Sequence, residues 1–152
     1  PKLHHEDLPA LAQTTADYIR KRIASTIDLR VQNETTGCTG IPFNPVLLGW
    51  VIENLVKNSA DAMKGSGSIT VRLTETGTEA MIDVEDTGKG IPRKDFKTIF
   101  KPGYTTRERG WGLGLSLSKR IIEDYHKGKI FVLRSEPGNG SCMRILLKKK
   151  DR

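Results

Sequence analysis

A long helix that is marked at both ends constrains the fold of this chain more than any other feature. Asn44 is a favourable N-cap, and Pro45 suits the first helical position because a proline there loses no hydrogen bond. Lys64 and Gly65 are typical of the other end, where a cation meets the helix dipole and glycine accepts a left-handed conformation. The pattern therefore predicts a helix that starts at Pro45, runs to Lys64 and stops at Gly65.

The predicted helix has one broad apolar face and a stripe of polar side chains along its border. Asn54, Asn58 and Asp61 lie within about 60° of one another when residues are spaced at about 100°. The stripe is either a row of solvated border residues or part of an enclosed ligand site, because carboxamide and carboxylate oxygens suit Mg2+. The helix alone leaves both interpretations open. The apolar face comprises Leu48, Val51, Ile52, Leu55, Val56, Ser59 and Met63.

Length, charge and cysteine content exclude several classes of protein. The 152 residues predict one domain, residues 1–152. The formal net charge is +7, but the basic residues are scattered and aromatic residues make up only 6% of the chain, so we expect no nucleic acid partner. Cys38 and Cys142 lack the spacing of a zinc site or a disulfide scaffold, which favours a cytoplasmic setting.

No apolar run approaches the roughly 18 residues needed to span a bilayer, and no signal peptide opens the chain. We therefore expect no membrane contact by this domain. Whether a longer parent protein is anchored in a membrane or soluble stays open.

Helical and strand patterns alternate along the rest of the chain. Apolar residues at helical spacing predict a first helix over about residues 7–25, and strict alternation predicts a strand from Thr26 to Asn33. Helices and strands that each have one apolar face are most simply packed as two layers. The other predicted elements are a hairpin of strands 68–75 and 80–85, a short helix 93–100, a helix 116–125, and strands 129–134 and 141–148.

Two glycine-rich segments follow the long helix. Asp86 to Gly90 comes at the end of a predicted strand, where alternate glycines let the backbone turn sharply and let a ligand approach it closely. This pattern alone fits a plain loop equally well. Gly110 to Leu115 leads into a helix whose first N–H groups and positive dipole end favour phosphate. This second segment is neither a Walker loop nor a Rossmann fingerprint.

These segments resemble the N, G1, F and G2 boxes of sensor histidine kinases, and they occur in the same order. The resemblance covers the whole chain, and it is to the catalytic and ATP-binding domain of these kinases alone. It implies the Bergerat fold, an α+β two-layer sandwich in which a mixed five-stranded sheet is covered on one face by three helices, with a short ATP lid. The matching segments are Asn54 to Asn58, Asp86 to Gly90, Phe96 to Phe100, Gly110 to Leu115, and the closing Gly138 to Ser141.

The resemblance also implies a function and assigns roles to residues. It implies transfer of the γ-phosphoryl group of ATP to a histidine on a separate dimerisation domain in two-component signalling, with ATP or ADP and Mg2+ bound and a response regulator as an indirect partner. Asn54 and Asn58 are the implied catalytic positions, and Asn58 is the implied metal ligand. Asp86, helped by Ser141, is implied to accept a hydrogen bond from the adenine amino group, which guanine lacks at that position. The implied nucleotide-binding residues are Asn58, Asp61, Ala62, Asp86, Gly88, Gly90, Ile91, Lys101, Thr105, Thr106, Arg107, Gly110, Trp111, Gly112, Leu113, Gly114, Leu115 and Ser141.

The segment between the F and G2 boxes, residues 101–109, is similar to the lid of the short-lid kinases. Lys101, Arg107 and Arg109 are either lid cations that meet phosphates or exposed loop charges. Trp111 stands where a small or hydroxyl residue is usual in the family. That departure keeps open a second hypothesis, a regulatory nucleotide-binding module or an ATPase of the same superfamily that transfers no phosphate to histidine.

The histidines offer no convincing phosphoacceptor. His5 with Glu6 echoes the start of the family's acceptor motif, but Pro9 follows one residue too early and no two-helix dimerisation domain fits before the first helix. We interpret His4 and His126 as solvated surface residues. Asn54 occupies the position at which related hydrolases place a glutamate base, which favours the histidine kinases.

Overall fold

A mixed five-stranded sheet forms one layer of the molecule, in the strand order β1-β2-β3-β5-β4. β1 pairs parallel with β2, and every other neighbouring pair is antiparallel. The computed structural model describes residues 7–36, 40–102 and 112–150. The strands are β1 (Ile27–Asn33), β2 (Gly67–Glu75), β3 (Glu79–Asp86), β4 (Lys129–Ser135) and β5 (Ser141–Lys148), and the helices are α1 (Leu8–Arg20), α2 (Pro45–Ala62) and α3 (Gly112–Arg120).

The helices form the second layer and cover one face of the sheet. On β3, the alternating residues Ala80, Ile82 and Val84 are buried in the core that the sheet shares with α1 and α2. The opposite face of the same strand is polar, where Asp83 accepts two hydrogen bonds of 2.8 Å each from the guanidinium of Arg144. This arrangement confirms the α+β architecture expected from the sequence.

The long helix α2 forms because its N-terminus is capped and its apolar face is buried. The side chain of Asn44 accepts a hydrogen bond of 2.9 Å from the amide of Leu47, and all the residues of the predicted apolar face are at most 7% exposed. The helix ends at Ala62, earlier than predicted, because Lys64 and Gly65 both adopt positive φ angles of 51° and 93°.

Several other boundaries differ from the predicted ones. α1 ends at Arg20 because the following amides turn back to the carbonyl of Ile19. The predicted short helix over 93–100 is two 3-10 turns, Arg93–Asp95 and Thr98–Phe100. The last predicted helix starts at Gly112 and closes in a π-helical turn, Ile121–Tyr125. Within the three described ranges, no helix is both long and apolar enough to cross a membrane.

Candidate functional site

The polar stripe of α2 is enclosed at its first two positions. Asn54 is 4% exposed and Asn58, one turn later on the same side, is 8% exposed, whereas Asp61 near the end of the helix is exposed. Buried carboxamide oxygens fit a hard cation such as Mg2+. The described residues include no group of three or more His, Cys, Asp or Glu side chains that could hold a metal by themselves.

Asn54 joins α2 to the start of α3. Its Nδ2 donates a hydrogen bond of 3.2 Å to the hydroxyl of Ser118, and this hydroxyl donates in turn to the carbonyl of Gly114 at 2.7 Å. Ser118 is fully buried. The structure therefore brings the N-box helix into contact with the glycine segment that opens α3.

Asp86 is held in a fixed orientation at the end of β3. Its Oδ1 accepts hydrogen bonds from the backbone amides of Gly88 at 2.9 Å and Ser141 at 3.3 Å. Its Oδ2 accepts a hydrogen bond of 3.0 Å from the hydroxyl of Ser141. The carboxylate is 6% exposed, so the strand pairing of Asp86 with Ser141 creates a rigid acceptor at this corner of the sheet.

The last turn of α2 packs against the glycine loop that follows β3. The carbonyl of Ala62 accepts a hydrogen bond of 3.3 Å from the amide of Lys89. A Cβ placed on Gly88 would lie 2.9 Å from the same carbonyl oxygen, so only glycine allows this approach. α2 thus contacts both glycine segments.

The β4–β5 turn supports the same loop from the other side. The hydroxyl of Ser135 accepts a hydrogen bond of 2.6 Å from the amide of Ile91, and the amide of Gly138 donates to the carbonyl of Lys89 at 2.7 Å. Gly90 has a φ of 81° and lies against the carbonyl of Glu136. Sequence reasoning missed Ser135 and Glu136, because neither belongs to a recognisable motif.

His126 is buried, so its interpretation as a solvated surface residue is wrong. It is only 7% exposed because the π-helical turn places its ring beside the start of α2. Its Nε2 accepts a hydrogen bond of 3.0 Å from the amide of Asn44, and its Nδ1 lies 2.9 Å from the carbonyl of Ile121. Since the amide can only donate, Nδ1 carries the proton and the ring is neutral. Burial lowers the pKa of His126 below its ordinary value of 6.5.

We expect His126 to make the stability of the domain depend on pH. Because the pKa of His126 is lowered in the folded domain, its full contribution to the free energy of unfolding is present above pH 6.5. This contribution is lost as the pH falls toward the folded-state pKa, because the unfolded chain binds the proton more readily. Replacing His126 by Gln should cost about 0.5–1.5 kcal/mol at pH 8 and flatten this dependence. Thermal unfolding between pH 8 and 5.5 measures both effects, and parallel pH curves for the two proteins would contradict the prediction.

The remaining predicted site residues fall into two groups. Ile91 and Leu115 pack against the core, Gly112 and Leu113 begin α3, and Lys101 is exposed after the second 3-10 turn. The others lie outside the described residues, and their roles stay predictions. This second group comprises Thr105, Thr106, Arg107, Gly110 and Trp111, together with Arg109, His4, His5 and Cys38.

Residues 43–151 match the model of a protein family described as histidine kinase-, DNA gyrase B-, and HSP90-like ATPase. The chain belongs to this ATPase family. Sporulation kinase C of Bacillus subtilis is 39% identical over 75% of this chain and 26% of its own length. Sensor histidine kinase ZraS of Salmonella typhi is 41% identical over 70% of this chain and 23% of its own length. The chain thus spans about a quarter of the length of these curated relatives.

Solved structures of histidine kinases confirm the predicted fold class. The nucleotide-free catalytic domain of histidine kinase ThkA is 27% identical, covers 99% of this chain and 100% of its own, and superposes with a TM-score of 0.88. ThkA in complex with the response regulator protein TrrA matches 97% of this chain and 42% of its own at 26% identity, with a TM-score of 0.84. The expected relation to sensor histidine kinases is therefore confirmed.

Proposed function

We propose that this chain is the ATP-binding catalytic domain of a sensor histidine kinase. It binds ATP and transfers the γ-phosphoryl group to a histidine on a separate dimerisation domain of the parent protein. A response regulator then receives the phosphoryl group from that histidine. The proposal is supported by the membership of the chain in the ATPase family and by the kinase names of its matched relatives.

The contact of one helix with both glycine segments is the observation that carries this proposal. Along α2, Asn54 reaches Ser118 and Gly114 at the start of α3, and Ala62 bonds to Lys89 in the loop after β3. Asn58 lies between these two contacts and is nearly buried. A base held at the Asp86 loop and phosphates held at the start of α3 would therefore both border Asn58.

The chemistry of each part suits one part of ATP. The fixed carboxylate of Asp86 is an acceptor for the adenine amino group, whose place guanine fills with an acceptor oxygen. The first backbone amides of α3 have no partner within the helix and lie at its positive dipole end, which favours phosphate. Asn58 would hold Mg2+, which neutralises phosphate charge as the phosphoryl group is transferred.

We expect the domain to prefer ATP and ADP to GTP through Asp86. Replacing Asp86 by Asn should weaken ATP binding by a few kcal/mol at most, because a side-chain amide no longer presents acceptors only. Calorimetric titration of both proteins with ATP and GTP measures the preference. Equal affinity of the unaltered domain for the two nucleotides would show that Asp86 does not distinguish the bases.

A phosphotransfer assay in trans tests the proposed function. We expect the chain to bind ATP without labelling itself, because phosphoryl transfer needs the acceptor in line with the γ-phosphate and no histidine of this chain has a matching sequence context. Incubation with γ-labelled ATP, with and without histidine-bearing dimerisation domains, should give label only on the added domain. The product should be acid-labile and stable in base, as expected of phosphohistidine.

Two outcomes of this assay would contradict the proposal. Strong labelling of this chain alone would show that the acceptor is not on a separate domain. Tight ATP binding without label on any chain would favour the regulatory nucleotide-binding module instead.

A further inference from the structure

We propose that Asn54 is a positioning residue that sets the spacing between α2 and the start of α3, and that it acts on the nucleotide only through this spacing. The inference rests on the proposed function and goes beyond it, because it assigns the role of Asn54 and explains the glycine at position 114. A carboxamide is not basic enough to take a proton at neutral pH, so its contacts must account for its burial.

The hydrogen bonds around Asn54 form a chain in which each group donates to the next, and this chain fixes the orientation of the Asn54 amide. Nδ2 donates to the hydroxyl of Ser118, which leaves that hydroxyl free to donate to the carbonyl of Gly114. Ser118 is fully buried and Asn54 is 4% exposed, so water does not compete for this chain of bonds. The amide oxygen of Asn54 consequently points toward the backbone of Gly114.

The packing at Gly114 shows how closely the two helices approach. A Cβ added to Gly114 would lie 2.5 Å from Oδ1 and 2.8 Å from Nδ2 of Asn54. Side-chain carbons do not come this close to other atoms, so an alanine at position 114 would push α3 away from α2 or displace the amide. Asn54 therefore occupies the volume that a side chain at position 114 would need.

A second contact, at the other end, holds the same pair of helices. His126 follows the π-helical turn after α3 and accepts a hydrogen bond from Asn44, the N-cap of α2. With this end held, a change of spacing at Asn54 would tilt the first turn of α3 relative to α2. That turn carries the amides proposed to bind phosphate. Nucleotide affinity should therefore depend on how well the residues at positions 54 and 114 fit together.

A double-mutant cycle tests this inference. Gly114→Ala should raise the Kd for ATP about tenfold or more, and Asn54→Ala should raise it about threefold to tenfold because the space beside Gly114 is left unfilled. In the double variant the new methyl group occupies part of that space, so its Kd should return to within about threefold of the Asn54→Ala value. Unfolding without nucleotide, measured on the same four proteins, should show the same lack of additivity.

Kinetics separate positioning from direct catalysis. In the phosphotransfer assay in trans, Asn54→Ala should raise the KM for ATP more than it lowers kcat, and the double variant should not differ further in kcat. A loss of kcat in Asn54→Ala at unchanged KM would overturn the inference, since that pattern indicates a group acting only in the transition state. Independent fold-changes in Kd, whose product equals the effect of the double variant, would also overturn it.

The experiment remains informative if one variant fails to fold. Recovery of folding by the Gly114→Ala protein upon addition of Asn54→Ala supports the inference, and no recovery counts against it. Ser118→Ala gives a further measure, because it removes the partner of Asn54 without adding volume and should weaken ATP binding about threefold or more. Absence of ATP binding by the unaltered domain would instead overturn the proposed function, which distinguishes the two failures.

Discussion

The Asn58→Ala variant is expected to lose at least tenfold in affinity for ATP in the presence of Mg2+, and to bind ATP equally well with and without the metal. Asn58 lies one turn before the end of α2, is 8% exposed, and is flanked by the contacts of α2 with both glycine segments. Removing its carboxamide removes the proposed oxygen ligand of Mg2+ but no apolar core volume. Each tenfold loss of affinity corresponds to about 1.4 kcal/mol.

Two measurements on the Asn58→Ala variant separate loss of metal binding from loss of structure. Calorimetric titration with ATP, once with Mg2+ and once with a chelator, gives the metal dependence directly. Alanine favours helix, so the midpoint of thermal unfolding should change little. An affinity that stays as high and as sensitive to Mg2+ as that of the unaltered domain would refute the assignment of Asn58.

Lys57→Ala is the matched control for this experiment. Lys57 is the neighbouring residue on the same helix, and its ammonium forms a partly exposed ion pair of 2.8 Å with Glu53 one turn earlier. Its removal should cost no more than about 0.5 kcal/mol of stability. ATP affinity and its Mg2+ dependence should both be retained in this variant.

Features of the site that depend on local sequence could be predicted, because their causes act within a few residues. The N-cap of α2 needs only Asn44 and the amide of Leu47, and the burial of the apolar face follows from the 3.6-residue period. The pairing of Asp86 with Ser141 could be predicted only through the resemblance to histidine kinases, since the two residues are far apart in sequence. Motif order supplied information that periodicity could not.

The residues that hold the site in place could not be predicted, because their contacts are long-range and they belong to no motif. Ser118 lies 64 positions from Asn54, and Ser135 lies 44 positions from Ile91. The early start of α3 at Gly112 was missed for a different reason, since glycine has a low helix propensity. The burial of His126 likewise follows from its contact with Asn44, 82 positions away.

Gly140→Ala is expected to destabilise the domain by about 3 kcal/mol or more and to weaken ATP binding at the same time. Gly140 has a φ of 86°, and a Cβ at this position would lie within 3.0 Å of the backbone oxygen of Asp86. Backbone strain at positive φ costs about 1–2 kcal/mol, and the clash adds a comparable term because the opposing atom belongs to the backbone. Relief of the clash must move Gly140 or Asp86, whose strand pairing brings Ser141 to the carboxylate that the proposed function places against adenine.

The Gly138→Ala variant separates the cost of backbone strain from the cost of the clash, because it introduces the strain but not the clash. Gly138 has a φ of 81°, and no atom lies within 4 Å of the position that its Cβ would take. This variant should lose about 1–2 kcal/mol and keep its affinity for ATP, since the backbone amide that bonds to Lys89 is unchanged. Unfolding and ATP titration of both variants measure the difference. If both variants lost the same stability and the same affinity for ATP, the close approach of Gly140 to Asp86 would not be what positions Asp86.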